Sequence, residues 1–232
     1  MRAFSSVGDD APGTPFGDRS LSRAVYAEVL DAVRRGDLTP GERINESDVA
    51  RRLGISRTPV REAISRLSQD GLLTYIPRRG AFLTRPTPED VEEIDVARSL
   101  IEGVTARLAS QRITPPDVAR LEALVDGMAA AARAGDWLEA IQTNARFHEA
   151  VVNLSGNRLL ARMWSSLDPL RWLHGPVVQP GEMAGEDDLV HRHRVLIEAL
   201  TSGNPDLAER AFKEHIGAVT ERARDIMETD TP

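Results

Sequence analysis

The sequence has no cysteine, so neither a disulfide framework nor a thiolate metal site is available, and an intracellular setting is expected. It also has no long hydrophobic run. The opening stretch MRAFSSVGDDAPGTPFGDRS lacks the apolar core of a signal peptide, and no later segment approaches the roughly 20 apolar residues that a bilayer span requires. The expectation is a cytoplasmic protein without a membrane partner. The same opening is rich in Gly, Pro, Ser and Asp and has little to bury, so residues 1–17 are expected to be a disordered tail. What is present suffices for real cores: 232 residues, 41% of them hydrophobic, give room for one large or two modest domains.

The net charge of −7 hides an asymmetry. From Asp18 to Arg85, 13 arginines face 9 acids; from Pro86 onward, 15 basic residues face 25 acids. The stretch RPTPED between them is the natural boundary, which divides the chain into residues 18–85, a linker at 86–88, and residues 89–232. Only the N-terminal part has the charge to meet a polyanion.

In that part, Leu21, Val25, Val29, Leu30 and Val33 recur at helical spacing after Ser20. A shorter helix fits NESDVARRLG, with Asn45 or Ser47 as cap, Val49, Ala50 and Leu53 inward, and Gly54 at the turn. Ser56 is placed to cap a third, with Pro59 in its first turn and Val60, Ala63, Ile64 and Leu67 on one face. Helix, glycine turn, helix is the helix-turn-helix layout. Packing uses the apolar face of the third helix, which leaves Arg57, Thr58, Arg61 and Ser65 on or near its outward N-terminal end, where a major groove is entered. Arginine can pair bidentately with guanine O6 and N7, while hydroxyls such as that of Ser56 can hold phosphates together with the helix amides. The runs LLTYI and AFLTR, joined by PRRG, read as a hairpin with Arg78 and Arg79 at its tip, a wing beside the reading helix.

The segments SRTPVREAI, LSQDGLL and RRGAFL, in this order and spacing, resemble the winged helix-turn-helix of the GntR transcription regulators over about residues 20–85. The resemblance implies that Arg57, Thr58 and Arg61 read DNA. It also implies that Arg78, Arg79 and Gly80 approach it from the wing, and that a homodimer binds a short palindrome in double-stranded DNA.

The remainder is helical throughout. Val91, Ile94, Ile101, Val104 and Leu108 mark one long helix, and Val118, Leu121, Leu124, Val125 and Met128 a second. Leu138, Ile141, Ala145, Val151 and Val152 mark a third; Leu159, Leu160, Met163, Trp164, Leu167 and Leu170 a fourth. After the expected loop GPVVQPGEMAGEDD, two more helices meet at Gly203-Asn204-Pro205. The fold class is therefore mainly α: a winged helix-turn-helix with a small β-hairpin, then an antiparallel six-helix bundle.

Polar exceptions stand on the apolar stripes. Asn144 and His148 share the stripe of Ile141, Ala145, Val151 and Val152; His193 lies on that of Leu196, Ile197 and Leu200; His215 on that of Ala208, Ala211, Phe212 and Val219. His193 and His215 are equidistant in sequence from Asn204, so an antiparallel hairpin sets their imidazoles at one height. Three inward imidazoles and a carboxamide are costly unless their nitrogens and oxygen are satisfied, either by neighbours or water, or by a divalent Zn, Ni, Co, Fe or Mn. His191 falls on another face and His174 near a helix end, which marks both as bystanders.

RSLIEGVTARLA, NARFHEAVVNLSGN, HRVLIEAL and FKEHI resemble the FCD effector domain of FadR-type GntR regulators over about residues 88–228. The resemblance implies metal ligands at Asn144, His148, His193 and His215. Asn144 stands where the family commonly has Asp, a neutral oxygen in place of an anionic one, which implies weaker affinity. It also implies a small carboxylate effector, for which Arg98 is a candidate cation; an i,i+4 ion pair with Glu102 is the alternative. The expected function is a ligand-responsive DNA-binding regulator, a repressor rather than an enzyme. Its competitor is a metallohydrolase fused to a DNA-binding module, for which Glu149 beside His148 points about 100° away from the ligand face. A third reading is an architectural protein without sequence preference.

Overall fold

The first helix, α1, spans Pro15–Arg34. It therefore begins inside the expected tail rather than after Ser20: a proline in the first turn forfeits no helical hydrogen bond, so it permits this earlier start. The computed structural model describes residues 15–167 and 186–229. Leu170, His174, residues 1–14 of the expected tail, residues 175–185 of the expected loop and the side chain of Val219 lie outside that description. Among the described residues there are nine helices and one three-stranded antiparallel sheet, and the chain forms two compact units, Met1–Pro86 and Thr87–Pro232. No helix among them is long and apolar enough to cross a membrane.

In the first unit, β1 (Arg43–Ile44) precedes α2 (Glu46–Leu53) and α3 (Arg57–Gln69), and β2 (Leu73–Ile76) and β3 (Gly80–Leu83) form the hairpin. Asn45 caps α2 by accepting the Ser47 amide at 3.0 Å, and Gly54 ends it at φ 68°. The core joins Val25, Val29 and Val33 of α1 to Val60, Ile64 and Leu67 of α3 and to Leu72 and Leu83. The strand order is β1-β3-β2, with Arg43 opposite Phe82 and Tyr75 opposite Ala81.

The second unit contains α4 (Pro88–Ser110), α5 (Pro115–Arg133), α6 (Trp137–Leu154), α7 (Arg158–Ser166), α8 (Glu186–Thr201) and α9 (Pro205–Thr229). Two of these helices open on the same device, Thr-Pro-x-Asp: Asp90 accepts the Thr87 amide at 2.8 Å, and Asp117 accepts that of Thr114 at 3.0 Å. The α8–α9 turn places Gly203 at φ 73° and lets Asn204 cap α9. A core of Leu121, Met128, Phe147, Leu196, Leu200 and Phe212 draws on α5, α6, α8 and α9.

Three expectations change here. Val104, Leu159 and Met163 are exposed, because the buried faces of α4 and α7 are narrower than the expected stripes: Ile101 and Trp164 stay inward, buried with Val152. Helix α8 begins at Glu186, so the last three residues of the expected loop are helical. The strand β1 was not expected at all.

Candidate DNA-reading surface and buried histidine site

Packing of Pro59, Val60, Ala63, Ile64 and Leu67 turns the opposite side of α3 outward. Arg57, Thr58, Arg61 and Ser65 are all exposed there, with Ser56 beside them. Ser56 occupies the cap position but its hydroxyl makes no capping hydrogen bond, which corrects the expected role. Arg57 and Arg61 both lie 3.5 Å from Oε2 of Glu46, the first residue of α2. The only mark of Glu46 in the sequence is its place beside the Asn45 cap of the preceding helix. At the wing tip Arg78 takes a left-handed φ of 65° and Gly80 one of 100°, while the Arg79 guanidinium sits 5.5 Å from the Phe82 ring centroid.

In the second unit three helices bring three imidazoles together. His148 of α6, His193 of α8 and His215 of α9 are buried, and one ligand nitrogen from each lies within 4.8 Å of the others. The ring centroids of His193 and His215 are 4.8 Å apart, and those of His148 and His215 5.3 Å. Burial, helped by the neighbouring His148, holds His193 down to about 3, and burial likewise pushes His215 well below the ordinary histidine range. Those two rings are therefore neutral at pH 7, the form that binds metals.

The lone pairs are directed as well. His193 Nδ1 lies 2.8 Å from the Leu189 carbonyl and donates its proton there, leaving Nε2 with a lone pair. That Nε2 is 2.7 Å from Asn144 Oδ1, also an acceptor. Two lone pairs at this distance are reconciled by a cation that both face; in its absence the amide turns to donate its N–H. On the other side, His148 Nδ1 lies 2.6 Å from Glu102 Oε2, though neither atom completes a well-aligned hydrogen bond. A carboxylate behind Nδ1 favours the proton there and frees Nε2. The donor set thus fits a divalent transition metal.

Glu102 is itself held in place. Its Oε1 accepts Trp164 Nε1 at 3.0 Å and Arg98 Nε at 3.1 Å. Burial would raise its carboxyl, but the adjoining His148, the Arg98 guanidinium and the Trp164 bond keep it well below the usual range. Arg98 also bonds Asp95 at 3.1 Å, and Asp95 accepts the Thr220 hydroxyl at 2.9 Å. Of the two readings of Arg98, the ion pair with Glu102 is realised. Asp95 was missed, and Glu102 was named only as the ion-pair partner of Arg98, because acids on a helix are ordinarily solvated; their seven-residue spacing on the stripe of Ile94 and Ile101 was the signal. His191 and Glu149 are both exposed.

Residues 21–83 match the gntR family of bacterial regulatory proteins, and residues 93–218 match the FCD domain. This chain belongs to the gntR family, with an FCD domain as its second unit. A probable D-xylose utilization operon transcriptional repressor of Paenarthrobacter nicotinovorans is 30% identical, over 82% of this chain and 83% of that protein. The uncharacterized HTH-type transcriptional regulator YdhC of Bacillus subtilis is 29% identical, over 88% and 91%. In fold, the solved structure of E. coli McbR/YncC superposes with a TM-score of 0.73 at 24% identity, covering 91% of this chain and 99% of that one. The protein is a DNA-binding transcription regulator, not an enzyme, and its histidine cluster falls within the FCD domain.

Proposed function

We propose that this regulator is a FadR-type repressor that binds a short palindromic operator as a homodimer and senses a small carboxylate at the metal-loaded histidine site. The observation that carries this reading is the convergence of three buried imidazoles and the Asn144 oxygen inside an effector-binding domain. His148, His193, His215 and Asn144 would hold a divalent Zn, Ni, Co, Fe or Mn, whose chemistry is to accept a carboxylate oxygen at an open coordination position.

Charge favours an anion there. Asp95 and Glu102 are paired with Arg98, so a divalent cation held by neutral ligands adds net positive charge to a buried site. A carboxylate neutralises it. Arg98 then contributes from behind, by fixing Glu102, which in turn fixes His148.

The dimer reading is supported by α4, which exposes Val96, Leu100 and Val104 at i, i+4 and i+8, an apolar stripe suited to a two-fold partner. Effector binding acts on DNA only through a difference in affinity between two arrangements of the dimer. The repressor reading is supported by the Paenarthrobacter relative's description.

The test is thermal shift of metal-loaded protein against a panel of mono- and dicarboxylates, followed by operator binding with and without any hit. Stabilisation that requires the metal and changes operator affinity agrees with the proposal. Carboxylates that stabilise metal-free and metal-loaded protein equally contradict it.

A further inference from the structure

Glu46 lies outside the resemblance's set of DNA-reading residues, yet it is the acid on which two of them converge. Arg57 and Arg61 stand one turn apart on α3, and each guanidinium is 3.5 Å from the same oxygen, Oε2. The arginine side chains are 59% and 67% exposed, that of Glu46 only 22%. Position one of α2 suits a carboxylate, because the helix's free amides face it. Ion pairs this exposed add little to folding, so their consequence is orientation rather than stability.

We infer that Glu46 is a positioning residue for base recognition: it pre-sets the two guanidinium forks toward base edges and withholds part of their charge from phosphates. This inference rests on the reading of Arg57 and Arg61 as base readers. Bidentate pairing to guanine needs a fixed fork, which a tethered guanidinium provides and a free one does not. Attraction to the DNA backbone depends instead on net charge, and one carboxylate between two arginines lowers it. Removing the carboxylate therefore moves the two kinds of binding in opposite directions. Loss of charge alone would raise both in proportion, and loss of structure would lower both.

The experiment uses the full chain and a duplex library randomised over about three helical turns, selected on the unaltered protein and sequenced to give a preferred duplex. Binding of that duplex and of a scrambled one is then measured for E46Q, R57A and R61A at one salt concentration, and the selection is repeated with each variant. The expected result for E46Q is a preferred-to-scrambled ratio lowered about tenfold, with scrambled binding unchanged or stronger. Base preference should flatten at the positions that R57A and R61A flatten. An E46Q ratio and base preference equal to those of the unaltered protein, while R57A and R61A flatten theirs, overturn the inference alone. Unchanged preference in R57A and R61A overturns the assignment of the arginines, and the inference with it.

Discussion

Single side chains carry the sharpest expectations. Arg57→Ala or Arg61→Ala should each weaken operator binding by about 1–3 kcal/mol and relax base preference at one position, read by anisotropy on matched and mutated duplexes. Unchanged affinity would contradict the assigned docking. In the buried site, Glu102→Gln removes the carboxylate 2.6 Å from His148 Nδ1. Metal affinity, measured by competition with a chelating dye, should fall about 10–100-fold while the three ligands remain. Asn144→Asp should act in the opposite sense, since an anionic oxygen replaces a neutral one beside His193 Nε2. If it binds metal no better than Asn144, that oxygen is not a ligand.

At the scale of elements, the recognition unit depends on local stops and starts. Gly54 ends α2 at φ 68°, and a Cβ there meets nothing within 4 Å, so Gly54→Ala tests left-handed strain alone. A loss of about 1 kcal/mol is expected in denaturant unfolding; no loss would mean that the turn relaxes. The helix-turn-helix and the hairpin were legible because their signals are local: Asn45, Gly54 and Pro59 punctuate the helices, and PRRG separates two β-prone runs. The strand β1 was not, since two residues pair with β3 only through the fold. Val104, Leu159 and Met163 misled because helical periodicity names a stripe without saying which neighbour covers it. Asp95 and Glu102 misled in the other direction: their burial depends on Arg98, Thr220 and Trp164, the last two on other helices. The three histidines and Asn144 were legible as inward residues, and the turn at Asn204 paired two of them.

At the scale of the whole molecule, the proposed function couples a DNA-reading unit to a sensing unit through a dimer. Leu100→Arg places a charge in the middle of the exposed α4 stripe, and sedimentation equilibrium should then report monomers, with operator binding reduced to that of a half-site. A dimer that persists would move the interface elsewhere. The most direct test of the central claim, that the buried histidine site is a metal-loaded sensor, is metal content per chain by elemental mass spectrometry. It should use untagged protein never exposed to chelator, beside a His148→Ala/His215→Ala control. The account predicts about one transition metal per chain, lost in the control. Metal-free protein that still binds its operator would contradict it, and would assign the imidazoles to hydrogen bonding within the core.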